Sequence, residues 1–78
     1  MNLERAILTV LLDLAGHLTT TGAIHSHVGL STGSQPMLSE VSLCLQSLER
    51  KGQVKGANHE DYGHRWLITD AGKLRLAE

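Results

Sequence analysis

The segment from residue 37 to residue 69 constrains the fold most, because a helical pattern there passes directly into a strand pattern. Apolar residues recur at helical spacing through 37–51 and stop at Gly52, which tolerates the positive φ of a sharp turn. QVKGA (53–57) and HRWLIT (64–69) then have the composition of two short strands, separated by NHEDYG, a cluster of turn formers. The sequence therefore predicts a helix that leads straight into a β-hairpin.

The predicted helix over 37–51 has two faces of different character. One face is apolar and should pack in a core: Met37, Leu38, Val41, Cys44, Leu45 and Leu48. The opposite face carries Ser39, Ser42, Leu43, Gln46 and Arg50. Because this second face is mostly polar, we expect it to point outward.

Residues 2–15 predict a first helix, because apolar residues recur there at a spacing of three and four: Leu3, Ala6, Ile7, Val10, Leu11 and Leu14. Leu8 and Leu12 fall outside this stripe and form a second apolar pair on a different face. Either another part of the same chain covers the pair, or the pair contacts a second copy in a homodimer.

Two shorter helices complete the pattern. The threonines at 19–21 can cap a second helix that Gly29 ends, and LSTGSQP (30–36) is expected to be a loop. Thr69 or Asp70 can cap a final helix, whose apolar residues Ala71, Leu74 and Ala77 share one face. The order helix, helix, helix, hairpin, helix predicts a mainly α fold with a small β-hairpin, of the α+β class.

Length and composition limit the class of protein. A chain of 78 residues with 41% apolar residues suits one globular domain, spanning 1–78. The single cysteine, Cys44, excludes an internal disulfide and favours a reducing, cytoplasmic setting. The apolar stretch at the N-terminus is interrupted by Glu4 and Asp13 and is shorter than the ~18 residues that span a membrane. We therefore predict neither a signal peptide nor a membrane partner.

Charge is distributed unevenly along the chain. The formal net charge is −1, whereas proteins that bind nucleic acids usually have a basic balance. Between Arg50 and Arg75, however, six bases stand against three acids, which gives this part a net charge of +3. A surface that attracts phosphate is therefore expected in this part of the chain.

Four stretches together resemble a winged helix-turn-helix domain of the kind found in bacterial MarR and PadR type regulators. They are LTTTGAIHSHVGL, SEVSLCLQSLERKGQV, HRWLITDAG and KLRLAE, and the characteristic pattern reads LERKGQV and ITDAG here. The resemblance covers nearly the whole chain. It implies a three-helix bundle with a two-stranded wing and a short C-terminal helix, in a small transcriptional regulator of bacterial or phage type.

The resemblance also implies that the partner is double-stranded DNA. The recognition helix, about 36–51, would enter the major groove, and the wing, about 53–69, would lie on the backbone. The candidate DNA contacts are Ser34, Gln35, Ser39, Ser42, Leu43, Gln46, Arg50, Lys51, Lys55, His64 and Arg65. A homodimer joined through Leu8 and Leu12 would present two recognition helices to half-sites about one helical turn apart.

An alternative function stays open at this point, namely a winged-helix module that binds a protein and no DNA. Glu40 on the recognition helix and Glu60 and Asp61 at the wing tip would repel phosphate. Leu43 stands where winged-helix regulators often have a basic residue. The near-neutral net charge favours the same alternative. The outward face of the helix is also compatible with an ordinary solvated surface.

No catalytic or metal site is predicted. His25 and His27 point to different faces of a helix, and His59 and His64 flank the hairpin loop, so no three or four ligands converge. The sequence contains no recognisable pair of carboxylates, nucleophile with a base, or phosphate-binding glycine loop. We therefore expect neither an enzyme nor a cofactor, and we interpret Cys44 as a small core residue.

Overall fold

The computed structural model describes residues 3–14, 19–33, 36–59 and 63–78 of the chain. These residues form four helices and three strands, in the order α1 (Leu3–Asp13), β1 (Thr19–Thr20), α2 (Thr21–Thr32), α3 (Leu38–Arg50), β2 (Val54–His59), β3 (Gly63–Ile68) and α4 (Asp70–Ala77). The strands make one antiparallel sheet in the order β1-β3-β2, so β3 is central and β2 is an edge strand. The predicted fold class, mainly α with a small β-hairpin, is confirmed.

The core lies between the first three helices and one face of the sheet. Its buried apolar residues are Ala6, Ile7, Leu8, Val10, Leu11, Ile24, Val28, Val41, Leu45, Leu48, Val54, Trp66 and Ile68. Trp66 and Ile68 alternate along β3, and both are buried on the face of the sheet toward the core.

Leu8 belongs to this core, and its side chain is completely buried by its own chain. The reason is that α1 contacts α2, α3, α4 and β3, so little of its circumference reaches solvent. Leu8 therefore has no surface to offer to a second copy, and its prediction as a dimer contact is wrong. Leu12, one turn later, is exposed.

The second helix is longer than predicted. Gly29 lies inside α2, which continues to Thr32, so the predicted loop is wrong for residues 30–32. A glycine inside a helix costs roughly 1 kcal/mol and does not by itself end it. The helix ends instead at Gly33, which has φ +69° and donates its N–H to the Gly29 carbonyl oxygen at 3.1 Å. This is the left-handed cap that glycine favours.

A short strand, β1, was not predicted from the sequence. Thr19 pairs with Trp66 and Thr20 with Arg65, which adds β1 to the free side of β3. Thr20 also caps α2, since its side chain accepts the Ala23 N–H at 3.1 Å. The indole Nε1 of Trp66 donates to Thr21 Oγ1 at 2.9 Å, so the start of α2 is fixed to the middle of the sheet.

The third helix begins later than its apolar pattern suggested. Met37 is the N-cap residue and Leu38 is the first helical residue, and both side chains are exposed, so their predicted packing in the core is wrong. The core face of α3 is formed by Val41, Leu45 and Leu48. His25 Nε2 on α2 donates to the carbonyl oxygen of Pro36 at 2.7 Å, which joins α2 to the residues just before α3.

The turn from α3 into the hairpin follows the prediction. Gly52 has φ +76°, and the Gln53 N–H donates to the Leu48 carbonyl oxygen at 2.9 Å. Thr69 is the N-cap of α4, where its side chain accepts the Gly72 N–H at 3.2 Å. The same hydroxyl donates to the Gly52 carbonyl oxygen at 2.6 Å and so joins the start of α4 to this turn. The predicted apolar face of α4, Ala71, Leu74 and Ala77, points to solvent rather than to the core.

Candidate nucleic-acid interface

One row of side chains runs along the solvent face of α3. It consists of Ser39, Leu43, Gln46 and Arg50, and all four are exposed. Their spacing of four, three and four residues places them on one line of the helix surface, and the line is about 16 Å long at the rise of an α-helix. We call these four residues the outward row. Ser42, also a predicted contact, is half-buried beside it.

The predicted basic contacts differ in their availability. Arg50 and Lys55 are exposed and bind no partner among the described residues. Lys51 is engaged, because its Nζ lies 3.1 Å and 3.2 Å from the two carboxylate oxygens of Glu4. Arg65 is half-buried and makes an interaction of its own. Two of the four predicted bases are thus available for phosphate.

Glu4 joins α1 to α4 and to the C-terminal end of α3. Besides Lys51, it accepts a hydrogen bond from Arg75 at 3.2 Å and one from Ser47 Oγ at 3.4 Å. The hydrogen bond from Lys51 is the largest influence that lowers the pKa of the Glu4 carboxyl; partial burial acts in the opposite direction, and Arg75 lowers it further. Glu4 is therefore ionised at neutral pH and offsets part of the positive charge of the C-terminal half.

The two faces of the hairpin present different groups. Lys55 pairs with Leu67 and Ala57 with Arg65, so these four residues share the face away from the core. Asn58 pairs with His64 on the other face, where His64 Nδ1 donates to Asn58 Oδ1 at 2.7 Å. The His64 ring also packs on Trp66, with ring centroids 4.5 Å apart. The structure therefore does not bring Lys55 and His64 together on one surface.

Glu49 fastens the hairpin to α3. Its carboxylate Oε2 accepts the Gly56 N–H at 3.1 Å. A Cβ at residue 56 would collide with His64 Nε2 and lie 2.8 Å from Glu49 Oε2, so a larger residue there would displace the ends of these two side chains. The contact uses an N–H group of the edge strand β2 and joins the wing to the helix that carries the outward row.

Two further features of this region are the arrangement of potential metal ligands and the state of the Cys44 thiol. Among the described residues, no group of three histidine, cysteine or acidic side chains is placed to hold a metal ion. Cys44 is half-buried, and burial raises the pKa of its thiol, with a further contribution from Glu4 and Glu40. The thiol is therefore protonated and a weak nucleophile at neutral pH.

Some predicted residues lie outside the part of the chain that the structure describes. They are Ser34, Gln35, Glu60 and Asp61, together with the side chain of His59. Conversely, Glu4 and Glu49 belong to this region although neither was predicted to. Glu4 is 47 residues from Lys51, and Glu49 reaches Gly56 across a turn, so no periodic or motif signal marks either contact.

Comparison with known proteins shows the fold. RosR of H. salinarum superposes with a TM-score of 0.84 at 19% identity, both in its complex structure with S4 and in the structure grown from NaBr. In each case the match covers 99% of this chain, and it covers 64% of the RosR chain in the S4 complex and 67% in the other. A protein of Thermoplasma acidophilum described as a transcriptional regulator gives 0.81 at 20% identity, over 96% of this chain and 71% of the other.

These similarities confirm the predicted winged-helix fold, with α2 and α3 as the helix-turn-helix and β2 and β3 as the wing. This chain spans about two thirds of the length of RosR. No protein-family model and no curated protein sequence matches the chain. Among the described residues, no helix combines the length and the apolar character that crossing a membrane requires.

Proposed function

We propose that this chain binds double-stranded DNA as a small transcriptional regulator, with α3 in the major groove and the wing against the backbone. The observation that carries the proposal is the outward row, an uncovered helix face that combines Ser39, Gln46 and Arg50. These side chains can donate and accept hydrogen bonds at base edges. The regulator fold supports the same placement, because in this fold the second helix of the motif is the one that enters the groove.

Phosphate contacts would come from basic side chains that lie outside the middle of the outward row. Arg50 stands at the C-terminal end of α3, and Lys55 stands on the wing. Neither is neutralised by a described residue, so both retain their charge for the backbone, whereas Lys51 is held by Glu4. Such contacts set orientation and affinity and are sensitive to salt.

Arg50→Ala and Lys55→Ala test the proposal. Fluorescence anisotropy of a labelled mixed-sequence duplex should show weaker binding for each variant, and the slope of log affinity against log salt should fall by about 1 for each lost phosphate contact. Lys73→Ala is the matched control, because Lys73 is an exposed base on α4. We expect it to bind as the unmodified chain does. Wild-type affinity in both test variants, or no binding of the unmodified chain at the lowest salt, would exclude this docking.

A second copy would complete a two-fold symmetric reader, and Leu12 is the member of the predicted pair that is exposed for such a contact. It is 40% exposed on α1, whereas its predicted partner Leu8 is not accessible. Two copies would offer their α3 helices to half-sites about one helical turn apart. The single half-buried Cys44 suits a reducing cytoplasm, where such a regulator would act.

A winged-helix module that binds a protein is the second candidate, and one observation favours it. Large apolar side chains are exposed around the helix-turn-helix: Leu30, Met37, Leu38 and Leu43. Exposed apolar groups of this kind often mark protein contacts. Leu43→Lys separates the two candidates, because it adds a positive charge that should strengthen non-specific DNA binding but would prevent an apolar partner from docking.

A further inference from the structure

We propose that Leu43 and Gln46 read two neighbouring A·T base pairs, with Leu43 against the C5-methyl group of a thymine and Gln46 hydrogen-bonded to an adenine. The inference rests on the proposed DNA binding and specifies the base chemistry that the outward row recognises. It assigns a function to the one apolar member of that row.

The exposure of Leu43 is the first observation. Its side chain is 66% exposed, although it stands near the centre of α3 and the core of the domain is already complete without it. Leu43 is also isolated within the outward row, because Ser39 precedes it and Gln46 follows it on the same line. A lone apolar group between polar ones fits the edge of a base pair better than a continuous apolar partner.

The chemistry of the major groove matches this order of side chains. Thymine is the natural base that presents a methyl group there, and an apolar side chain gains by covering it. Adenine presents N7 as an acceptor and the N6 amino group as a donor, which a glutamine amide can bind with two hydrogen bonds. A G·C pair offers no methyl group to Leu43 and a mismatched donor pattern to Gln46.

The spacing of the two side chains fits adjacent base pairs. Three residues of an α-helix advance about 4.5 Å along its axis, and successive base pairs are about 3.4 Å apart. Arg50, four residues beyond Gln46, advances about 6 Å further and reaches the next base pair or its phosphate. The side chain of Arg50 supplies charge complementarity at the end of the row, and Lys55 supplies it on the wing.

Replacing thymine by deoxyuridine tests the proposal, because it removes only the C5-methyl group. The probes are three short labelled duplexes of equal length: one of A·T pairs in non-repeating order, the same duplex with deoxyuridine for every thymine, and one of G·C pairs. Anisotropy at low salt should give the order A·T above A·U above G·C. The loss from thymine to deoxyuridine should be about fourfold for each covered methyl group.

Leu43→Ala and Leu74→Ala are matched variants, because both leucines are 66% exposed and Leu74 stands on α4. Leu43→Ala should bind the thymine and deoxyuridine duplexes equally, whereas Leu74→Ala should keep the difference. Circular dichroism spectra would verify that both variants are folded. Equal binding of both duplexes by the unmodified chain would overturn the inference and leave DNA binding intact. No binding to any duplex would overturn the proposed function and the inference with it.

Discussion

A single buried glycine controls how closely α4 approaches the hairpin. A Cβ at residue 72 would collide with the backbone carbonyl oxygen of Gln53 and lie 2.7 Å from Ile68 Cγ1. A backbone carbonyl cannot rotate aside as a side chain can, so α4 would have to move. Gly72→Ala should therefore lower the free energy of unfolding by about 1–3 kcal/mol, the usual range for overpacking. Urea unfolding followed by circular dichroism would measure this change.

Gly22 provides the matched control at the same scale. It also lies in a helix, but an added Cβ there would have no neighbour within 4 Å. Alanine is the better helix former, so Gly22→Ala should raise the free energy of unfolding by up to about 1 kcal/mol. If both variants changed stability in the same direction, close packing of α4 on the Gln53 carbonyl would not be the cause.

At the scale of elements, one side-chain contact joins α3 to the edge strand of the wing. Glu49 accepts the Gly56 N–H of the edge strand β2, where no further strand pairs in the described sheet. Glu49→Ala removes the acceptor, and the Gly56 amide should then exchange with solvent roughly tenfold faster, as expected for loss of a hydrogen bond to a charged group. Hydrogen exchange followed by nuclear magnetic resonance would resolve this single amide.

Two variants control for side effects of that change. Glu49→Gln keeps a carbonyl oxygen that can accept the Gly56 N–H, so exchange should stay close to that of the unmodified chain. Glu40→Ala removes an acid from the first turn of the same helix without touching the wing, and it should leave the Gly56 amide unchanged. Unaltered exchange in Glu49→Ala would mean that other contacts hold the wing in place.

Elements with long, regular patterns could be predicted from the sequence, and short or distant ones could not. The apolar spacing predicted α1 and α3, and Gly52 predicted the turn after α3. These signals act over one or two helical turns, so a local pattern reveals them. The strand β1 has two residues, and its partner Trp66 is 47 positions away from Thr19, so no local pattern marks it. Met37 and Leu38 continue the period of α3 but lie at its start, beyond the reach of the core.

At the scale of the whole molecule, charges distant in the sequence determine what the candidate site offers. The net charge of +3 between Arg50 and Arg75 suggested a basic surface. Folding brings Glu4 of α1 to 3.1 Å from Lys51 and 3.2 Å from Arg75. Two of the six basic side chains are therefore already paired with a carboxylate. Periodicity predicted which side chains of α3 face outward. It could not predict which basic side chains remain unpaired, because that depends on tertiary contacts.

The same contacts predict how stability depends on pH. Glu4 is 19% exposed, and the hydrogen bond from Lys51 and then that from Arg75 hold its pKa in the folded chain below the ordinary value of 4.5. Because the pKa of Glu4 is lower in the folded than in the unfolded chain, the ionised carboxylate stabilises the fold. This contribution is complete above pH 4.5 and is lost as the pH falls through the pKa of the folded chain. Glu4→Gln should therefore lower the free energy of unfolding by about 1 kcal/mol at neutral pH, and the difference from the unmodified chain should disappear in acid. Urea unfolding at several pH values between neutral and acid would measure it.

Asp13→Asn is the control, because Asp13 is an exposed acid with no ion pair to a described residue, and it should show no such convergence. A difference between Glu4→Gln and the unmodified chain that persisted undiminished in acid would mean that packing or hydrogen bonding at Glu4, and not its charge, stabilises the junction of the three helices.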